Sequence, residues 1–224
     1  MDEVDADVIV QVGAFRVPRG QALTAARSYL NPATGVYSAY PAYEAYRPDH
    51  DPDRLADSDL LAPVLLNVSH LSLKAYYGLR DRCGELNQLL RTISQDARLE
   101  HSDDDGLNKL GALFSVLDGN GLPGVGGSIL AKILHRKRPG FIPLYDDNIR
   151  YCYRDAPGAP IPRDTKRCWA AFAVLLGRAI RQDLNAQLDT WQDISGYAPG
   201  PAITPLRALD IVAWHAGRLA SRRW

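Results

Sequence analysis

Cysteine is scarce in this chain, and the little there is does not pair. Cys83, Cys152 and Cys168 stand far apart, and no C-x-x-C occurs. That argues against a disulfide scaffold, a zinc ribbon and a cysteine-held iron–sulfur cluster; an odd, sparse count suits a reducing compartment. Each cysteine is expected to act as a small buried apolar residue. Long apolar runs are missing as well, so no segment approaches the length of a membrane span. The acidic start, Met1–Val10, does not read as a secretory leader. A cytoplasmic protein with no membrane partner is therefore expected. Net charge is absent too: Lys+Arg and Asp+Glu balance at 26 each, so bulk charge gives no footprint of a nucleic-acid partner. No P-loop, dinucleotide fingerprint or G-x-S-x-G is found. His50, His70, His101, His135 and His215 show no metal-ligand spacing with cysteines or carboxylates.

What is present is helical periodicity. At 224 residues and 46% hydrophobic, the chain is long enough to bury a sizeable core. The fold class is expected to be mainly α, with a short N-terminal strand over Val8–Val12. Residues 1–54 read as an irregular and helical segment packed on the core, with a short helix at Gln21–Leu30. From residue 55 to 224 the pattern is that of one helical domain. Leu73, Tyr76, Cys83, Leu86, Leu90 and Ile93 follow three- and four-residue spacing on one long helix. Leu107, Leu110, Phe114 and Leu117 mark a second, stopped by Asp118-Gly119-Asn120-Gly121. Ile129, Leu130, Ile133 and Leu134 face the core on the next. Trp169, Phe172, Leu176, Ile180 and Leu184 mark another. Thr204 and Pro205 read as the cap and first turn of a last helix. Pro157, Gly158, Pro160 and Pro162 place a loop across Arg154–Thr165.

Charge is clustered even though it balances. Acidic residues crowd Asp2–Asp7, Asp49–Asp59 and Asp103–Asp105; basic ones collect at Lys132, Arg136, Lys137 and Arg138 and at Arg218, Arg222 and Arg223. Such runs are usually solvated surface, although a basic face on a neutral protein also suits DNA. Tyr37, Tyr40, Tyr43 and Tyr46 recur every three residues; with no interleaved Lys or Arg, they are expected to pack a loop on the core rather than stack on bases.

The most informative stretch is Leu122-Pro123-Gly124-Val125-Gly126. It lies between two helical segments, with Asp146 twenty positions beyond Gly126. Glycine lets the backbone approach a phosphate closely, and the following helix adds the positive end of its dipole. This hairpin, its flanking helices (107–138) and Pro143–Arg150 resemble the helix–hairpin–helix DNA glycosylase superfamily, over about a quarter of the chain. The resemblance implies a glycosylase-like helical fold with a central helix–hairpin–helix. It implies that duplex DNA is the partner, gripped by Leu122, Pro123, Gly124, Val125, Gly126, Gly127 and Ser128, with Lys132, Arg136 and Lys137 beside them. It further implies that carbonyls of Asn120, Leu122 and Val125 hold a structural monovalent cation; the cluster-binding cysteines of the endonuclease III branch are absent, so no iron–sulfur cluster and no other cofactor is expected.

Asp146 then corresponds to the aspartate that stabilises charge developing on the sugar as a base departs. The same residue can cap the helix beginning near Asn148; the two roles are compatible. Asp147 is the second choice. Ser128 stands where bifunctional members carry a lysine that forms a Schiff base, so water is the expected nucleophile and the enzyme monofunctional. Lys132, one turn on, reads first as surface charge. The family's arginine falls at Tyr151, with Arg150 one place early. Two readings follow: a monofunctional, monomeric N-glycosylase acting on an extruded base, or a non-catalytic DNA-binding module of a repair or defence system.

Overall fold

The computed structural model describes residues 8–31, 33, 38–46, 51–68, 71–119 and 121–221. They form a mainly helical protein with one small sheet. Strands β1 (Ile9–Val12) and β2 (Phe15–Pro18) pair antiparallel, Ile9 opposite Pro18 and Val12 opposite Phe15. Val10 and Val12 are fully buried while Ile9 and Gln11 are half-buried, the alternation of a strand with one face on a core. The sequence predicts β1 but not β2, which has four residues and ends in proline.

Ten α-helices follow among the described residues: α1 (Arg19–Leu30), α2 (Ala42–Ala45), α3 (Asp57–Leu61), α4 (Leu73–Arg91), α5 (Asp104–Phe114), α6 (Gly127–His135), α7 (Asp147–Arg150), α8 (Trp169–Ala186), α9 (Leu188–Ser195) and α10 (Pro205–Ser221). A 3₁₀ turn, Ala62–Leu66, follows α3, and a π turn, Tyr151–Asp155, continues α7. The helix starts are set by side-chain caps. Ser72 accepts from the Ala75 N–H at 3.1 Å, Asp103 from Gly106 at 2.9 Å, and Thr204 from Arg207 at 3.2 Å. The last of these is the predicted Thr204–Pro205 start.

Buried apolar residues form one large cluster running from Val10 to Ala213 and a small one of Ala39, Tyr43, Ala62 and Leu144. The N-terminal segment thus supplies core: Val10, Val12, Leu23, Leu30 and Tyr40 all belong to the large cluster. Tyr40 and Tyr43 are buried, so these two pack rather than stack on a ligand; Tyr37 lies outside the described residues. Helices α5 and α8 pack closely because Gly111 and Gly177 present no side chain at the crossing. A Cβ on Gly111 would sit 2.8 Å from Val174, and one on Gly177 2.7 Å from Leu110. Helix α10 runs against α1, α7 and α9. Gly217 lets it approach α7, since a Cβ there would lie 2.5 Å from the Asn148 carbonyl oxygen.

The basic run after α6 does not form a solvated face. Arg138 is fully buried. It donates to the Leu90 and Ile93 carbonyls at 2.8 Å each, to Pro52 at 2.7 Å, and to Asp53. It thereby satisfies carbonyls that the end of α4 leaves open. Lys137 is buried against Asp59 at 2.8 Å. The Arg136 guanidinium lies over the Tyr43 and Tyr46 rings and donates to the Tyr43 carbonyl. The expected DNA-facing side chains of Arg136 and Lys137 are therefore turned inward. The acidic segment 51–59 is their partner, some eighty residues away in sequence.

The β1–β2 turn is fastened by Asp183 of α8, which accepts from Gly13 N–H at 2.7 Å and the Tyr153 hydroxyl at 2.8 Å. Burial pushes its carboxyl up to about 6, against those two hydrogen bonds. The folded state thus binds this proton more tightly than the unfolded chain does. The stabilising contribution is full below the unfolded value and is lost as pH rises through about 6. Asp183→Asn keeps an acceptor for both donors and removes the titration. Relative to wild type, the variant should gain on the order of 3 kcal/mol between pH 4 and pH 7. Urea unfolding at several pH values measures this; a difference between the two proteins that does not change with pH disproves it.

Candidate functional site

The glycine-rich loop between α5 and α6 turns its apolar side chains in and its backbone out. Leu122 and Val125 are buried and form an isolated bridge, with Val125 N–H donating to Leu122 at 2.9 Å. Pro123, Gly124 and Gly126 are exposed. Gly124 has φ +79°, a conformation that favours glycine. Gly126 is extended and precedes α6; a Cβ on it would meet open space. Gly127 is buried under Trp169, whose ring would lie 2.3 Å from an added Cβ. Among the described residues, none accepts a hydrogen bond from the N–H of Gly126, Gly127 or Ser128. The loop is anchored at its start by Asp118, which accepts from Trp169 and Ala170 N–H at 2.6 and 3.2 Å. An acidic residue thus closes the first turn of α8 from across the structure. Of the three carbonyls considered for a cation, Asn120 lies outside the described residues, and that of Leu122 already accepts from Val125.

Ser128, in the first turn of α6, lines a cavity of about 390 Å³, within the range of small-ligand sites. Asp146 lines the same cavity. Its Oδ1 accepts from Asn148 and Ile149 N–H at 2.9 and 3.0 Å and so caps α7. Its second oxygen has no hydrogen-bond partner among the described residues. Capping and facing the cavity coexist, as the sequence allows. Asp147 is exposed and pairs with Arg150 at 2.9 Å.

Lys132 is not surface charge. It is 7% exposed, lines the cavity, and donates to the Leu66 carbonyl at 3.2 Å. The reason is the path of the chain: the 3₁₀ turn Ala62–Leu66 packs on α6 and covers the face that periodicity leaves polar. Burial lowers its affinity for a proton, while Asp146 and Asp210 raise it. No carboxylate among the described residues lies within ion-pair distance of its ammonium.

The remaining wall comes from Trp214 of α10 and from three residues that no sequence motif marks: Tyr29 of α1 and Arg207 and Asp210 of α10. Arg207 is buried and donates to Glu44 at 2.7 Å, to the Tyr29 hydroxyl at 2.9 Å, and to Asp210. Asp210 is 7% exposed; burial, opposed by Arg207 and reinforced by Asp146, pushes its carboxyl up to about 6. A signal for these residues exists. Arg207, Asp210 and Trp214 recur at helical spacing beside the apolar stripe of α10, and so share one helix face. A larger groove of about 680 Å³ lies among β2, α1 and α10, but it is mostly apolar and holds no carboxylate. The smaller cavity, with its converging charged groups, is the functional candidate.

No group of three or more histidines, cysteines or carboxylates suited to a metal exists among the described residues, and no helix among them is long and apolar enough to cross a membrane. A mainly helical protein with a charged cavity beside an interhelical glycine loop is thus defined. The chain belongs to a family of unknown function, DUF6308, whose model matches residues 22–217 and so spans every residue that lines the cavity. No curated protein and no solved structure matches it.

Lys132, Asp146 and Asp210 act on one another through this cavity, and their placement can be tested without knowing a ligand. Lys132→Met should shift the Asp210 titration above its value of about 6, and Asp146→Asn should shift it below. Carboxyl carbon NMR reads both. Identical Asp210 titrations in the three proteins would show that the groups do not face one another.

Proposed function

We propose that the chain is a helix–hairpin–helix, DNA-glycosylase-like protein that hydrolyses the N-glycosidic bond of a nucleotide turned out of duplex DNA. One observation carries the reading: the first turn of α6, immediately after the glycine loop, and Asp146 line the same cavity. A phosphate held at the α6 N-terminus would place the adjoining sugar near that carboxylate. An ionised carboxylate beside an oxocarbenium-like centre lowers the barrier electrostatically. The cavity admits an extruded base. Leu73 and Tyr77 add support. They are exposed on α4, four residues apart and so on one face, and α4 touches the loop, since a Cβ on Gly124 would lie 3.4 Å from Ala75. Exposed apolar side chains beside a phosphate grip suit insertion between base steps.

The second reading, a DNA-binding module without catalysis, is favoured by one observation: capping α7 is a sufficient structural reason for Asp146.

One experiment tests the DNA grip that both readings share, and a second separates them. Gly126 is the clean position for testing the grip, because its backbone is extended and the space beyond it is open. Gly126→Val should fold and lose about tenfold in duplex affinity, roughly one charge-assisted hydrogen bond. Salt-dependent titration with duplex DNA measures it; unchanged affinity removes the loop as the anchor. Asp146→Asn retains the cap acceptor and loses the charge. Base release should fall by about 10²–10³, with binding and melting temperature little changed, and Asp147→Asn should be milder. Alkali cleavage of a panel of damaged duplexes reads base loss. Full activity in Asp146→Asn eliminates the mechanism. Water as nucleophile predicts an intact abasic strand and no borohydride-trapped adduct; a trapped adduct would instead point to an amine nucleophile, with Lys132 the first to test.

A further inference from the structure

We propose that Asp210 is the proton donor of this cavity, delivering a proton to the departing base while Asp146 receives one from the attacking water. The proposal rests on the glycosylase reading and adds to it a second carboxylate, on a different helix, with a different task.

The geometry separates the two carboxylates. Asp146 spends one oxygen on the backbone N–H groups of α7. Asp210 spends Oδ2 on Arg207. Its Oδ1 has no partner among the described residues and is not one of the sealed, unsatisfied atoms. Since the residue lines the cavity, Oδ1 is the atom it offers to a ligand.

Charge counting gives Asp210 its proton. The groups around it are Tyr29 from α1, Tyr43 from α2, Lys132 from α6, Asp146 at α7, Tyr153 from the π turn, and Arg207 from its own helix, with Glu44 beyond Arg207 and Asp147 beyond Lys132. The tyrosines are neutral and Asp147 is exposed. The inner set is then two cations, Lys132 and Arg207, against three carboxylates, Glu44, Asp146 and Asp210. One proton makes it neutral, and a buried set with unmatched charge is costly. Glu44 and Asp210 both accept from Arg207, while Asp146 accepts from two backbone N–H donors. The proton falls to Asp210, whose affinity for it is raised by burial to about 6. A donor tuned close to working pH suits general acid catalysis.

The step balances. The bond from C1′ to the base nitrogen breaks, and its electron pair goes to the base. The Asp210 proton passes to an acceptor nitrogen of that base. The water oxygen bonds to C1′, and a water proton passes to Asp146. Exchange with solvent returns both carboxyls to their starting states, so the sum is hydrolysis. The ligand class implied is a neutral base carrying a protonatable ring nitrogen, a purine before others, because a base that is already cationic leaves without a proton.

The test compares two duplexes, one with a neutral purine as leaving group and one with 7-methylguanine, which is cationic from the start. Wild type, Asp210→Asn and Asp146→Asn are assayed on both across pH. Asp210→Asn should slow release of the neutral purine by about 10²–10⁴ and that of 7-methylguanine by at most about tenfold, whereas Asp146→Asn should slow both. Should Asp210→Asn fail to fold, the wild-type profile decides. Release of the neutral purine should fall about tenfold per pH unit above about 6, and release of 7-methylguanine should not. Equal effects of Asp210→Asn on the two substrates, or wild-type activity on the cationic base alone, would overturn the proposal and leave the glycosylase reading standing. A wild-type protein that binds duplex yet releases neither base overturns that reading, and this proposal with it.

Discussion

Burying a charge is tolerable only when it is paired and hydrogen-bonded, and the architecture of this protein is organised around meeting that condition. Lys132, Lys137, Arg138 and Arg207 are all nearly or wholly removed from solvent, and all but Lys132, which donates to the Leu66 carbonyl, are ion-paired. Arg138 and Lys137 draw the acidic segment around Asp53 and Asp59 over the ends of α4 and α6. Arg207 draws α2 to α10 through Glu44 and α1 through Tyr29. These ties run between segments far apart in sequence. They also give the 3₁₀ turn Ala62–Leu66 its place over Lys132, which closes the cavity. The site is therefore a by-product of how the fold satisfies its interior charges, and two of those charges line it.

Asp146 stands at the junction of the two demands. Its position after a run of buried residues, Phe141 to Tyr145, and before a short helix fixes it as a cap. Helix α7 is held in turn by α10, whose Gly217 meets the Asn148 carbonyl. Asp146 at one helix and Asp210 on the other thus keep their relation because a single missing side chain lets the two helices touch.

Much of this was legible in the sequence. The helical stripes, the Thr204–Pro205 start, the turn after α5 and the cap at Asp146 follow from local patterns, and local patterns decide local structure; Leu73, expected on the α4 stripe, is exposed, and Ile93 lies past the end of that helix. The failures share a cause. The basic run at 132–138 and the acidic run at 49–59 each read as solvated because each was judged by its neighbours in sequence, and partners some eighty residues away are invisible to that test. Lys132 shows it best: helical periodicity places it off the apolar face of α6, and only the packing of a distant turn buries it. Arg207 and Asp210 were passed over although polar residues on a core-facing helix are a signal in their own right. Strand β2 and helix α9 were missed for brevity and for lack of a clear stripe.

The double duty of Asp146 bears on how this family can age. On the proposed function, a relative without the chemistry would still need something to close the first turn of α7, so an aspartate there would persist as a working structural part with or without activity. Arg207, Glu44 and Asp210 have no such independent local employment. Since a buried ionic cluster can be exchanged as a unit for well-packed apolar residues at little cost or even with gain, an inactive lineage is free to replace all three together. On the proposed function, the trio on α2 and α10, more than the aspartate beside the glycine loop, would tell lineages under catalytic selection from those that keep the scaffold alone.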